Sequence, residues 1–191
     1  VLIADLGEAD QLSRFAEECE RALGGYDVWI NNAGVGVYAP LMETTDEDHE
    51  KVFRTNYWGV VHGCTEALKH MRNRGGALIS TGSIASDMPS PILGAYTATK
   101  HAITGLTRST SLDGRADDIA CGQIDIGNAA TEMTRVIAKG VPQADGSLKP
   151  EPVMDVQAVA DAVLYMAGLP LSANVQFMTV MATRMPFVGR G

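Results

Sequence analysis

Tyr96 and Lys100 carry the sharpest chemical signal in the chain. They stand four residues apart in Tyr96-Thr97-Ala98-Thr99-Lys100, and on a helix that spacing puts both side chains on one face. A free phenol titrates near a pKa of about 10. A neighbouring positive charge favours the phenolate and lowers that value. A phenol tuned this way gives a proton to a carbonyl oxygen or takes one from an alcohol. An isolated pair of this spacing is also an ordinary feature of an exposed helix, so its partners decide. Ser83 precedes Tyr96 by thirteen residues, at the end of the apolar run Ala77–Thr81. Ligands of open α/β sheets bind outside the carboxyl ends of the strands, where a hydroxyl can hold a substrate oxygen against the phenol. The competing reading is a turn serine in Ser80-Thr81-Gly82-Ser83.

Two further places bear on a ligand. Asn31-Asn32-Ala33-Gly34 follows the apolar run Val28–Ile30, and small residues after a strand let a ligand approach the backbone. Asn56 falls inside a long helical stretch. An asparagine there competes with the helix for backbone hydrogen bonds, and such local conflicts mark functional positions.

The elements that must position these residues follow from periodicity. Val1–Ala4 reads as a short strand. Glu8 to Leu23 has helical spacing and stops at Gly24-Gly25. Thr45 to Met71 reads as one long helix, with Thr45 as N-cap and Glu47 and Asp48 in the first turn. Ala77–Thr81 is a strand, Ala95–Leu112 a second long helix, Ile119–Ile126 a strand, Asn128–Pro152 a loop, Val156–Met166 a helix and Val175–Val180 the last strand. Strands alternating with helices imply βαβ units and a parallel sheet.

Composition narrows the function. The 191 residues suit one domain, 1–191, and 46% are hydrophobic. A net charge of −8 with no basic run argues against nucleic acid and anionic membrane surfaces. Cys19, Cys64 and Cys121 are scattered and read as buried hydrophobes of a reducing compartment. No apolar run reaches the ~20 residues of a membrane span, and the chain shows no signal peptide, so a cytoplasmic location is expected. His49, His62, His70 and His101 lack metal-ligand spacing, and no metal is expected.

Taken in order, Asn31-Asn32-Ala33-Gly34, Asn56, Ser83 and Tyr96-x-x-x-Lys100 resemble the short-chain dehydrogenase/reductase family in its single-domain form. The resemblance implies a Rossmann-like, doubly wound parallel α/β sheet. It also implies a nicotinamide cofactor, NAD or NADP, and hydride transfer to or from the carbonyl or alcohol group of a small molecule. Tyr96 would then be the general acid/base. Lys100 would lower its pKa and hydrogen-bond the nicotinamide ribose, Ser83 would polarise the substrate carbonyl, and Asn56 would hold a relay water. Asp5 would meet the adenine amino group, and Asn31, Ala33 and Gly34 would line the adenosine side. Gly127 stands where the family has the glycine of Pro-Gly, with Ile126 in place of the proline, and Thr131 would touch the nicotinamide carboxamide. Ala85, Met88 and Pro89 fall where the family places substrate-facing residues.

The resemblance starts at Asp5. The family's opening strand, glycine-rich diphosphate turn, helix and second strand have no counterpart here, so the fold is expected to be N-terminally incomplete. At ~30 residues per βαβ unit, ~60 residues are expected to precede Val1, and the 191 residues alone are expected to bind a dinucleotide poorly. A non-catalytic nucleotide-binding or scaffold protein on the same fold is the alternative, and an intact Ser83, Tyr96 and Lys100 speaks against it. An epimerase or dehydratase is a third reading, disfavoured by a short C-terminal part.

Small and apolar residues on more than one face of the two long helices (Ala102, Gly105 and Ser109; Val60, Cys64 and Leu68) predict a homodimer or homotetramer with two-fold symmetry. Sedimentation at micromolar concentration checks this, and a monomer there would overturn it.

Overall fold

The computed structural model describes residues 1–135, 137, 140–143 and 145–188. Ala9–Leu23 (α1) is amphipathic, buries Leu12 and Ala16, and ends where Gly24 takes a left-handed conformation at φ 74°. Val28–Asn31 (β1) leads to Asp46–Phe53 (α2), whose start is fixed by a reciprocal cap between Thr45 and Asp48. The predicted single helix to Met71 is interrupted. Arg54–Trp58 forms a widened turn in which the Gly59 N–H reaches back to the Arg54 carbonyl, and Gly59–Met71 (α3) continues beyond it. Gly76–Thr81 (β2), Gly94–Asp113 (α4) and Ile119–Ile126 (β3) follow.

The loop expected at 128–152 contains a short antiparallel pair, Val141–Pro142 (β4) with Leu148–Lys149 (β5). Val156–Ala167 (α5) and Phe177–Val180 (β6) complete the chain. Asp155 caps α5 by accepting the Gln157 N–H.

Four strands form one parallel sheet in the order β1-β2-β3-β6. Successive residues of a strand face opposite sides, and the two faces are covered by different helices. Leu78 and Cys121 pack with Val60, Ala67 and Met71 of α3 and Ile103 of α4. Ile79 and Ile124 pack with Val159 and Met166 of α5 on the other side. This is the doubly wound parallel α/β arrangement that the sequence implied. Among the described residues no helix is long and apolar enough to cross a membrane.

Two expectations are corrected. Val1–Ala4 forms no strand; Val1, Leu2 and Ile3 lie exposed. A strand persists only where a neighbour takes its backbone hydrogen bonds. Among the described residues β1 pairs only with β2, and Val1–Ala4 reaches neither. The segment after it is fastened to helices instead, by Asp5–Arg54 at 2.8 Å and by His62 Nδ1 against the Leu6 carbonyl at 2.9 Å. The second correction concerns α3. Val60 and Cys64 are buried in the core beneath it and offer no outer face. Ala102, Gly105 and Ser109 do lie on the outer side of α4, with open space around Gly105.

Ile103 is fully buried at the centre of the α3–α4 layer. Ile103→Ala is expected to cost about 2–5 kcal/mol of unfolding free energy, read by urea denaturation. Leu112→Ala at the exposed end of the same helix is expected to change it by about 0.5 kcal/mol or less.

Candidate active site

The site forms where β2 and β3 end and α4 begins. Tyr96 lies in the first turn of α4 and Lys100 one turn on, so the register of the helix sets their separation. Lys100 is buried, donates to the Thr81 carbonyl at the end of β2 (2.7 Å) and sits 5.5 Å from the centre of the Tyr96 ring. Ser83 starts the short helical turn Ile84–Ser86. Its Oγ accepts the Ala85 N–H at 3.1 Å, which leaves the hydroxyl proton free to donate toward the neighbouring Tyr96.

Asp125, near the end of β3, holds this corner together. Its Oδ1 accepts the Ser83 N–H at 3.0 Å and the Gln123 Nε2 at 2.7 Å. The close approach requires Gly82 beside it: a β-carbon at Gly82 would fall 2.0 Å from that same oxygen.

Asn56 is buried in the widened turn. Its Oδ1 accepts the Val35 N–H at 2.8 Å, and its Nδ2 donates to the Val35 carbonyl at 2.9 Å and to Thr99 Oγ1 at 3.3 Å. It therefore clamps the loop after β1 to α4. A β-carbon at Gly34 would face both Asn56 Oδ1 and Lys100 Nζ, at 3.5 and 3.9 Å, so this loop passes directly over Lys100.

These groups open on a cavity of about 660 Å³ lined by Ala33, Gly34, Ser83, Tyr96, Lys100, Gly127 and Thr131, all singled out from the sequence. Four other sequence candidates, Asn31, Asp5, Met88 and Pro89, are placed elsewhere. Asn31 points into the interface between β1 and α3, accepting from Trp29 Nε1 (2.8 Å) and donating to Ser80 Oγ (3.3 Å) and Cys64 Sγ (3.5 Å). Its neighbour Asn32 lines the cavity instead, because adjacent strand residues alternate in facing. Asp5 is exposed and paired with Arg54, whose hydrogen bond pulls its carboxyl below the usual aspartate range. Of the three residues expected to face substrate, Ala85 lines the cavity and Met88 and Pro89 do not.

The electrostatics differ from the simple phenol–ammonium picture. Burial pushes the Tyr96 phenol above its ordinary value. The Ser83 hydrogen bond pulls it back, while the charges of Tyr38 and Asp125 add to the rise. Burial also draws Lys100 down to about 8, opposed by the Asp125 carboxylate. Desolvation wins because the cation has left water for a carbonyl, and its charge is lost only as pH rises past about 8.

Tyr38, Asp125 and Glu151 were not foreseen. Asp125 had a usable signal: a carboxylate next to last in a strand, at the carboxyl edge where ligands bind. Tyr38 had none in its spacing. Its hydroxyl spans the cavity from the loop after β1 to the Met133 carbonyl at 3.4 Å.

The parallel α/β sheet thus gathers a Ser, a Tyr and a Lys at its carboxyl edge. The family model for the short chain dehydrogenases matches residues 1–141, and the chain belongs to that family. It is 31% identical to the uncharacterized oxidoreductase YxnA of Bacillus subtilis over 87% of this chain and 48% of that protein. It is 32% identical to a short-chain type dehydrogenase/reductase of Picea abies over 86% of this chain and 63% of that one. The chain thus spans about half to two thirds of the length of these relatives. An alcohol dehydrogenase of the archaeon Thermococcus sibiricus, solved with 5-hydroxy-NADP, has the same fold, with a TM-score of 0.81, 22% identity and 96% of this chain covered.

The lowered value of Lys100 makes stability depend on pH. Below about 8 both folded and unfolded forms hold the proton. Between about 8 and the ordinary lysine value of 10.5 only the unfolded form does, so stability rises with pH across that window. The rise amounts to about 3 kcal/mol, at 1.36 kcal/mol per pH unit. The difference in unfolding free energy between wild type and Lys100→Met is expected to climb by that order from about pH 7.5 to about pH 10.5 in denaturant titrations. A flat difference would show that Lys100 keeps its ordinary pKa.

Proposed function

We propose that this protein is an NAD(P)-dependent oxidoreductase that interconverts a small-molecule carbonyl and its alcohol. The observation that carries this reading is the convergence of Ser83, Tyr96 and Lys100 on one cavity wall beside the small residues Ala33 and Gly34.

The residues suit the nicotinamide-ribose half of a dinucleotide. Lys100 Nζ and the Tyr96 hydroxyl are donors for sugar hydroxyls. The loop at Gly34 leaves room above the lysine, where a larger side chain would project. Thr131, on the far wall, can reach a carboxamide. A nicotinamide bound there supplies or accepts the hydride at the substrate carbon.

The chain's own groups handle position and protons. Ser83 donates to the carbonyl oxygen and fixes it against Tyr96. In reduction, the Tyr96 hydroxyl gives its proton to that oxygen as the carbon gains its hydride; in oxidation, the phenolate takes the proton from the alcohol. Burial keeps Tyr96 protonated over the neutral range, which favours its role as acid. Lys100, with its value near 8, can return a proton to the phenolate. Asn56 holds the loop over Lys100 and so keeps the relay in place, and Asp125 sets the Ser83 backbone. Tyr38 closes one side of the cavity and excludes water.

In a chain that also carries the family's N-terminal diphosphate-binding segment, Tyr96→Phe is expected to lower carbonyl reduction at least ~100-fold, followed by nicotinamide absorbance, while calorimetric affinity for the cofactor changes far less. Retention of wild-type turnover would remove Tyr96 from the chemistry.

A further inference from the structure

One chain of polar side chains does not line the cavity but ends on it. Gln123 of β3 is fully buried. Its Nε2 donates to Thr104 Oγ1 at 3.1 Å and to Asp125 Oδ1 at 2.7 Å, and its Oε1 accepts from Thr107 Oγ1 at 3.2 Å. Asp125 Oδ1 in turn accepts the Ser83 N–H at 3.0 Å. Thr104 and Thr107 lie on α4, one and two turns beyond Lys100. The chain therefore runs from the helix that carries Tyr96 and Lys100, across β3, to the turn that carries Ser83.

Its polarity is fixed from one end. A carboxylate only accepts, so the Gln123 amide nitrogen faces Asp125 and its oxygen faces Thr107. An amide satisfied on both atoms inside a core is rigid, and a network with every member satisfied specifies one arrangement of the elements it joins. Packing alone does not account for a glutamine here. An apolar side chain of the same length would fill the volume in a parallel sheet without the cost of burying an amide. The neighbouring turn is shaped around the pair as well: a β-carbon at Gly82 would fall 2.7 Å from Gln123 Nε2. Helix geometry sets the separation of Tyr96 from Lys100, but the separation of Tyr96 from Ser83 depends on how α4 sits against the strands.

We propose that Gln123 and Asp125 are positioning residues, which grip α4 through Thr104 and Thr107 and the Ser83 amide at the other end, and so hold the Ser83 hydroxyl at its working distance from Tyr96. This rests on the oxidoreductase reading above for its role in turnover, but the geometry can be read without turnover.

The ring carbon Cζ of Tyr96 reports the hydrogen bonding of its hydroxyl by NMR at neutral pH, in the 191 residues alone and without cofactor. Ser83→Ala removes the serine hydroxyl and sets the size of the signal. Gln123→Met keeps the volume and cuts the chain, while the two threonine hydroxyls can turn to carbonyls of their own helix. It is expected to move the Tyr96 resonance in the same direction as Ser83→Ala by a comparable amount, and to add little in a Ser83→Ala background. Asp125→Asn keeps an acceptor for Ser83 and removes the charge. It is expected to shift the Lys100 titration, followed at its Cε carbon, to lower pH, because the Asp125 carboxylate raises it. In a chain that also carries the family's N-terminal diphosphate-binding segment, Gln123→Met is expected to lower kcat about 10–100-fold, with the cofactor KM within a few-fold of wild type. A Tyr96 resonance left in place by Gln123→Met, or moved equally with and without the Ser83 hydroxyl, would overturn the proposal, since Gln123 would then serve packing alone. Should Gln123→Met fail to fold, Thr107→Val removes one tie at constant shape and carries the same two expectations at smaller amplitude. Coupled resonances without nicotinamide-linked turnover of any carbonyl by the longer chain would leave the positioning role standing and overturn the oxidoreductase reading instead.

Discussion

A lysine ammonium buried against a single backbone carbonyl constrains everything around it. Lys100 Nζ meets the Thr81 carbonyl at 2.7 Å, at the point where β2 ends. Removing an ion from water is costly unless hydrogen bonds and opposite charge compensate it. The compensation comes from two strands: Thr81 of β2 through its carbonyl and Asp125 of β3 through its field. For both to reach Lys100, α4 must lie at one height along the sheet. That height is what brings Tyr96, one turn earlier, beside Ser83.

The same constraint explains why the corner is built from small residues. Asp125 reaches the Ser83 N–H only because Gly82 has no side chain to block it. Asn56 can clamp Val35 above Lys100 because the helix widens at Arg54–Trp58, displacing the turn by one residue. A regular helix would have kept the side chain in phase with its neighbours and left the Val35 amide without this partner. The poor helix former and the widened turn are one feature seen from sequence and from structure.

How much of this was legible in the sequence divides along physical lines. The strand Ile119–Ile126 was read to the residue, and α1, α4 and α5 to within one, because apolar spacing and the glycines after α1, α4 and α5 mark their extents. The Tyr96–Lys100 pairing was legible because helical geometry converts a spacing of four into contact. Val1–Ala4 misled because apolar composition shows what could be a strand, whereas pairing decides what is one. Asn31 misled for a related reason: a residue at a strand end has two faces to choose from, and the alternation that sends Asn32 to the cavity sends Asn31 under α3. The sign of the Tyr96 shift was hidden because spacing reports proximity of charge and says nothing of burial. Ile92, which lines the cavity at a φ of 58°, could not have been found at all, since nothing in Pro91-Ile92-Leu93 predicts a left-handed isoleucine.

Burial acts on the two titrating groups in a coordinated way. It raises the phenol and lowers the ammonium, so the phenolate–ammonium pair that proximity alone would favour gives way to a protonated tyrosine beside a lysine that loses its charge more readily than in water. Under the proposed function, such a site would hold its proton on Tyr96 until a substrate oxygen accepts it, and the Ser83 hydroxyl, which favours negative charge on the tyrosine oxygen, would carry more of the load. The apolar side of the cavity around Ile92, Leu93 and Val159 deepens this effect, because every water it excludes strengthens desolvation of both groups. The composition of the cavity wall and the protonation of Tyr96 and Lys100 are therefore not separate properties: under the proposed function, a substrate body that fills the cavity would also complete the dry environment in which the Tyr96 proton moves.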